Sequence, residues 1–330
     1  MMTRIGRSPT RNKISSYKPA EVSIAVISFI PELVGYHKYR LDVLKLTLQS
    51  IIQNTDKPYD LMVFDNGSCI EVTDYLSQLK DEGLIDFLFL SHQNIGKIGA
   101  MQILFTAAPG KYIAYSDDDV FFYPGWLPAH IEIMKTYPDV GMVSGVAVRN
   151  KSERSSRSLK KYMSSEPEGL SWSNTKRIPD GWEIEWAKST GRDPEEHLES
   201  TKDKLDLVLK LDNIEAFAGA NHYQFLATKE ALLNALPDDW TGRLMGEMME
   251  LDEAIDLQGM LRLSTIGKFA AHIGNLVSEE LKLEAKSFGI DTEISQVEKR
   301  EKKHWLLRFP GMGRLFWKLY DWLFNVLHNE

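Results

Sequence analysis

Residues 111–127 read KYIAYSDDDVFFYPGWL. The run Tyr112–Tyr115 has the apolar, aromatic make-up of a buried strand, and Ser116-Asp117-Asp118-Asp119 follows at its end. Three adjacent carboxylates repel one another, and a cation is the usual way such a cluster is tolerated beside an apolar strand. Hard oxygen donors suit Mg²⁺ or Mn²⁺, which take one or two carboxylates and complete their shells with phosphate oxygens. Taken alone, the triplet also reads as a solvated acidic turn.

Strands and helices alternate upstream of this stretch. Val22–Ile30 (VSIAVISFI) is nearly continuous in β-branched and aromatic residues, as expected of a strand buried on both faces. Leu41–Thr55 places Leu41, Leu44, Leu48, Ile51 and Ile52 at helical spacing. A second buried strand over Tyr59–Phe64 ends in Asp65-Asn66-Gly67-Ser68. A helix near 70–80, a strand over Ile85–Leu90 and a helix over Ile98–Ala107 complete the alternation. This order predicts an α/β fold with a mainly parallel sheet and right-handed crossovers. Ligands of such sheets collect at the carboxyl ends of the strands. Ser28, Asp65–Ser68 and Asp117–Asp119 all fall there.

Composition narrows the function classes. The 330 residues are 43% hydrophobic and 26% charged, enough for a large core without metal or disulfide support. The formal charge of −8 argues against a nucleic-acid partner, which needs a basic face. A single cysteine, Cys69, cannot form an internal disulfide, so a reducing, cytoplasmic location is the expectation. No run of about 18 apolar residues suggests a membrane-crossing helix, and the first residues lack the apolar core of a secretory signal.

Three regions follow from these patterns. Residues 1–20, with five basic and no acidic residues, read as a flexible arm or a transit peptide. Residues 21–277 read as the catalytic domain, divided into a 21–149 half, a charge-rich insertion or lid over 150–212, and a 213–277 half. A helix is expected over Pro194–Leu211, and Trp172, Trp182 and Trp186 could stack on an acceptor or simply pack. The rest, 278–330, reads as a helical tail. Residues 298–318 hold seven Lys or Arg, and 314–327 is amphipathic and aromatic. That tail either lies at the cytoplasmic face of a membrane through residues 298–328 or packs on protein.

The stretch 111–127 resembles the metal-binding signature of GT-A glycosyltransferases, the family 2 group in particular. Further matches follow in order. Asp65-Asn66-Gly67-Ser68 resembles the Asp-x-Gly-Ser turn, and Asn94-Ile95-Gly96-Lys97 with Ala100 resembles the Asn-x-Gly-x-x-x-Ala segment of the nucleotide pocket. Phe217–Asn221 resembles the acceptor-side strand and turn. The resemblance implies a Rossmann-like mixed sheet flanked by helices and a sugar moved from a nucleoside-diphosphate donor, UDP-sugars first, to a glycan or lipid-linked hydroxyl.

It also implies roles. Asp65 would meet the base, and Asp117 or Asp118 the ribose and metal shell. Ser28, Asn66, Asn94, Gly96 and Lys97 would line the donor, with Lys97 near the diphosphate. Asp119, Asp117 and His272 would hold Mn²⁺ or Mg²⁺. The catalytic base departs from the pattern. Gly246-Glu247 and Gly259 keep the family spacing, but Met248 stands where an Asp is usual, and methionine cannot accept a proton. Asp252, one helical turn on, is the first substitute and Glu250 the second. Inversion is expected, with retention open. The rivals are a catalytically degenerate nucleotide-binding scaffold and a sugar nucleotidyltransferase, though the latter's Gly-rich loop is absent at Phe29–Gly35.

Overall fold

A computed structural model of the chain describes residues 10–149, 156–237 and 248–290, together with Ser8, Gly242 and Leu244. Strand β1 (Val22–Ser28) is buried at every residue. Its side chains divide between the two faces of the sheet. Val22, Ile24 and Val26 join one core with Leu44 and Leu48 of α1 (Arg40–Asn54) and Val72 and Leu76 of α2 (Ile70–Asp81). Ala25 and Ile27 join a second core with Ile98, Met101 and Leu104 of α3 (Lys97–Ala107). This two-sided burial is why the strand reads as an unbroken apolar run. Each such fully buried side chain contributes about 1.5–3 kcal/mol by leaving water.

Strands β2 (Asp60–Asp65), β3 (Phe87–Leu90) and β4 (Tyr112–Asp117) pair in parallel around β1, in the order β3-β2-β1-β4. Ser28 is opposite Asp65 and Ile27 opposite Asp117, so the polar ends of three strands share one edge of the sheet. Beyond β4 the pairing becomes mixed. The elements there are α4 (Trp126–Thr136), β6 (Val140–Ser144), α5 (Arg157–Ser164), β7 (Ser171–Thr175), α6 (Asp180–Ser189), α7 (Pro194–Thr201), β8 (Asp206–Leu211), β9 (Ile214–Ala218), β10 (Gln224–Thr228), α8 (Lys229–Ala235), α9 (Met248–Leu257) and β11 (Leu261–Thr265). The sheet continues β10-β6-β11-β9-β8-β7, giving ten strands. Two short strands, β5 (Val120–Phe122) and β12 (Ala270–His272), form a separate antiparallel ribbon, and α10 (Glu279–Ser287) follows. The result is a mixed sheet flanked by helices, the kind of architecture that the resemblance implies.

One expected element changes type. The helix anticipated over Pro194–Leu211 stops at Thr201, and residues 206–211 are strand β8. Asp193 caps the helix by accepting from the amides of Glu195 and Glu196, whereas Leu209 and Leu211 bury against the sheet core. Asp206 then accepts from the amides of Arg177 and Ile178, tying β8 to the loop before α6. The segment 150–212 therefore supplies strands β7 and β8 at the end of the sheet as well as helices. The amphipathic tail from residue 298, and Gly246 and Glu247 before α9, lie outside the described residues.

Candidate active site

The three aspartates after β4 have different partners. Both oxygens of Asp117 are engaged: Lys97 Nζ lies 2.7 Å from Oδ1 and donates to Oδ2 at 2.8 Å, while the Tyr115 hydroxyl donates to Oδ1. Asp118 is buried, accepts from Ser28 Oγ at 2.8 Å and pairs with Arg40 Nη2. Asp119 accepts from Arg40 Nη1 at 2.8 Å through Oδ2, and its buried Oδ1 has no hydrogen-bond partner. His272 Nε2 lies 3.5 Å from Asp119 Oδ2.

Arg40 is the residue that compensates two of the three carboxylates, Asp118 and Asp119. It is itself 8% exposed and also donates to the Gly274 carbonyl at 3.2 Å. Desolvation pushes its guanidinium pKa down, but Asp118 and Asp119 together carry it above the ordinary value. The two acids respond oppositely. Burial lifts Asp118 despite Arg40, whereas the charges of His272 and Arg40 outweigh the desolvation of Asp119 and hold it below the usual range. Thr47 of α1 fixes the turn as well: its hydroxyl donates to the Asp118 carbonyl and accepts from the Val120 amide.

At the end of β2, Asp65 is wholly buried. Its Oδ2 accepts from the amides of Gly67 and Ser68, and its Oδ1 has no partner. Desolvation raises its pKa against those hydrogen bonds. Gly67 sits at φ +90°, and a Cβ there would meet the backbone of Gln93 at 2.9 Å, so the Asp65 turn and the 91–96 loop are in close contact. Asn66 and Asn94 hold that contact. Asn66 Nδ2 donates to Asn94 Oδ1 at 3.0 Å, and Asn66 Oδ1 accepts from the Ile95 amide. Asn94 Oδ1 also accepts from the Gly96 amide, which begins α3 at φ +81°. These two asparagines thus secure the loop through their side chains, and Lys97 leaves it towards Asp117.

A cleft of about 260 Å³ adjoins the acidic turn, lined by His272, Tyr223, His222, Asp252, Trp186 and Arg192 among others. Asp252 of α9 is buried, with Arg262 Nη2 at 2.8 Å from Oδ1 and His222 Nδ1 at 3.1 Å from Oδ2. Glu250 on the same helix is exposed and does not line the cleft. Trp186 faces the cleft and carries Arg192 4.6 Å above its ring. Trp182 packs against a core of Ala147, Ile178, Val208 and Phe217, and Trp172 is exposed on β7.

Among the described residues, no group of three or more His, Cys, Asp or Glu side chains is arranged to hold a metal ion. What the turn offers is smaller: the unpartnered Oδ1 of Asp119 and the Nε2 of His272. That pair suits a hard divalent cation whose remaining shell comes from phosphate and water. Arg40, Arg262, His222 and Ser189, which hydrogen-bonds His272, carry no motif, and no reading of sequence spacing finds them.

Residues 36–189 match a family model, that of glycosyl transferase family 2. An uncharacterized glycosyltransferase of Nostoc sp. is 26% identical over 117 residues, covering 36% of this chain and 35% of the relative. The match thus spans about a third of that relative's length. Among solved structures, residues 1–349 of TarS from S. aureus are similar at a TM-score of 0.32 and 14% identity, over 40% of this chain and 39% of that one. The mannosyltransferase PcManGT from Pyrobaculum calidifontis, solved with GDP-Man and Mn²⁺, is similar at 0.33 and 19% identity, over 40% of this chain and 37% of that one. The stretch 36–189 that is similar to family 2 glycosyltransferases is just under half of the chain and contains Arg40, Asp65, Lys97 and the Asp117–Asp119 turn.

Proposed function

We propose that the chain transfers a sugar from a nucleoside-diphosphate donor, UDP-linked first, to a hydroxyl of a glycan or lipid-linked acceptor, with inversion. One observation carries this reading: Asp119, with an unpartnered buried oxygen, stands beside His272, which lines a cleft that also holds Asp252. In the catalytic domain 21–277, Asp65 Oδ1 would accept a hydrogen bond from the base. Asp119 and His272 would hold Mn²⁺ or Mg²⁺. A bound cation would offset the charge that develops on the diphosphate leaving group. Lys97 adds a positive charge on the same side, positioned by Asp117. Asp252, oriented by Arg262 and His222, would take the proton of the acceptor hydroxyl as it attacks the anomeric carbon. The acceptor would enter past Trp186 and Arg192.

The ion pair with Arg262 favours a second reading. A carboxylate held in this way can serve as a structural anchor, as in a nucleotide-binding scaffold without turnover. Measuring Mn²⁺-dependent breakdown of UDP-, GDP- and dTDP-sugars separates the two. The expected result is turnover of one donor class, lowered about 10²–10⁴-fold in Asp252→Asn and unchanged in Glu250→Gln. Turnover that survives Asp252→Asn would overturn the base assignment, and no turnover of any donor would favour the scaffold.

A further inference from the structure

Among the described residues, the His272 side chain hydrogen-bonds with Ser189, at the end of α6 and 83 residues earlier in the chain: Nδ1 lies 2.9 Å from Ser189 Oγ. The Ser189 hydroxyl in turn donates to the Trp186 carbonyl at 2.8 Å, the i−3 bond that serines commonly make in the last turn of a helix. With its hydrogen directed there, Oγ is left to accept. The hydrogen between the two side chains then belongs to Nδ1 of His272. Nε2, on the opposite side of the ring, is 3.5 Å from Asp119 Oδ2, beyond the usual range of an N–H···O hydrogen bond. A neutral imidazole carries one N–H, and among the described residues this ring hydrogen-bonds at Nδ1.

The contact is built rather than incidental. Gly274, two residues beyond His272, has φ +79°, and a Cβ at that position would collide with the Ser189 carbonyl. The end of α6 is therefore packed directly on the chain leaving β12. Tyr223 closes the other side of the ring, with its centroid 5.2 Å from that of His272 in an edge-to-face arrangement.

We propose that Ser189 is a positioning residue that fixes His272 as the Nδ1–H tautomer and turns the Nε2 lone pair towards Asp119. The role follows the general pattern in which a metal-ligating histidine is oriented by a hydrogen bond at its other nitrogen. It gives the α6 segment, within the 150–212 region, a function at the cation site besides lining the cleft. The cation part of this inference rests on the reading of Asp119 and His272 as donors; the tautomer part does not.

The test is ¹⁵N NMR of the histidine rings in the full chain, at a pH alkaline enough for neutral imidazole, in wild type, Ser189→Ala and Ser189→Thr. Calorimetric titration with Mn²⁺ runs alongside. The expected result is a protonated Nδ1 and an unprotonated Nε2 for His272 in wild type and Ser189→Thr. In Ser189→Ala the preference is lost and Mn²⁺ affinity falls about tenfold or more. A serine that merely held α6 in place would alter unfolding without moving the tautomer. An Nε2–H tautomer in wild type, or an unchanged Nδ1–H preference in Ser189→Ala, would overturn the proposal. Failure of wild type to bind Mn²⁺ would instead contradict the cation reading, and the tautomer would still decide the role of Ser189.

Discussion

The carboxyl ends of β2 and β4 flank the same strand, β1, yet they surround their aspartates in opposite ways. Asp65 at the end of β2 is buried among neutral donors: two backbone amides meet one oxygen, and the other meets nothing. The Asp117–Asp119 turn after β4, with Asp118 buried and its neighbours half-buried, sits instead among basic side chains: Lys97 and Arg40 pair with its carboxylates, and His272 lies 3.5 Å from Asp119. The pKa values follow the surroundings. Desolvation carries Asp65 up, while charge holds Asp119 down. On the proposed reading, residues of one type on the two strands that flank β1 take different ligands: Asp65 would accept a hydrogen bond from the base, Asp119 would hold the cation, and Lys97 would meet the diphosphate.

The largest effect should come from removing the cation on which the β4 side depends. Arg40→Met would leave Asp118 buried with only Ser28 as donor, and breaking a buried pair from one side costs about 3–5 kcal/mol. Urea unfolding should show that loss, and adding Asp118→Asn should recover much of it. A fully stable Arg40→Met would break the comparison, because the β4 carboxylates would then need no internal cation.

The corresponding change on the β2 side should be mild for stability and costly for binding. Asp65→Asn keeps an acceptor for the Gly67 and Ser68 amides and removes a desolvated charge. The folded pKa of Asp65 is raised, so the native state binds its proton more tightly than the unfolded chain, and wild-type stability falls as pH rises through that folded pKa. The Asn variant should lack this fall and be at least as stable as wild type near pH 7. Its nucleotide affinity should drop about tenfold, the worth of one hydrogen bond to a charged acceptor. If Asp65→Asn instead unfolds the protein while nucleotide binding by the folded fraction is unaffected, Asp65 is a structural residue of its turn.

The two sides also differed in how far the sequence disclosed them. Strands β1, β2 and β4 are buried on both faces, so each appears as an apolar run, and the acids at their ends stand out against it. Helix α3 and the Asn94–Lys97 segment were legible for a related reason: local turn chemistry fixes them. What escaped is long-range. Arg40 lies in a stretch, Tyr36-His37-Lys38-Tyr39-Arg40, whose other basic residues are not buried, and only the fold brings it to carboxylates 78 and 79 residues away. Arg262 and His222 reach Asp252 in the same way. The 206–211 strand was hidden because Asp206 and Lys210 give it the charge density of a surface helix, while its pairing with β9 and β7 is set by tertiary contact. His130 illustrates the same limit. Buried between Trp126 and Gln224, it is pushed down to about 4 by desolvation, against the hydrogen bonds with the Trp126 carbonyl and the Gln224 side chain, which favour its charged form.

The central claim is that Asp119 and His272 together make a cation-dependent nucleotide site, and calorimetric titration addresses it most directly. Wild type, Asp119→Ala and His272→Ala would each be titrated with UDP, GDP and dTDP, with Mn²⁺ and with EDTA. The account predicts that wild type binds one nucleotide, that EDTA abolishes or greatly weakens the binding, and that both substitutions do the same in the presence of Mn²⁺. Equal binding in EDTA, or a wild-type isotherm from Asp119→Ala, would contradict it.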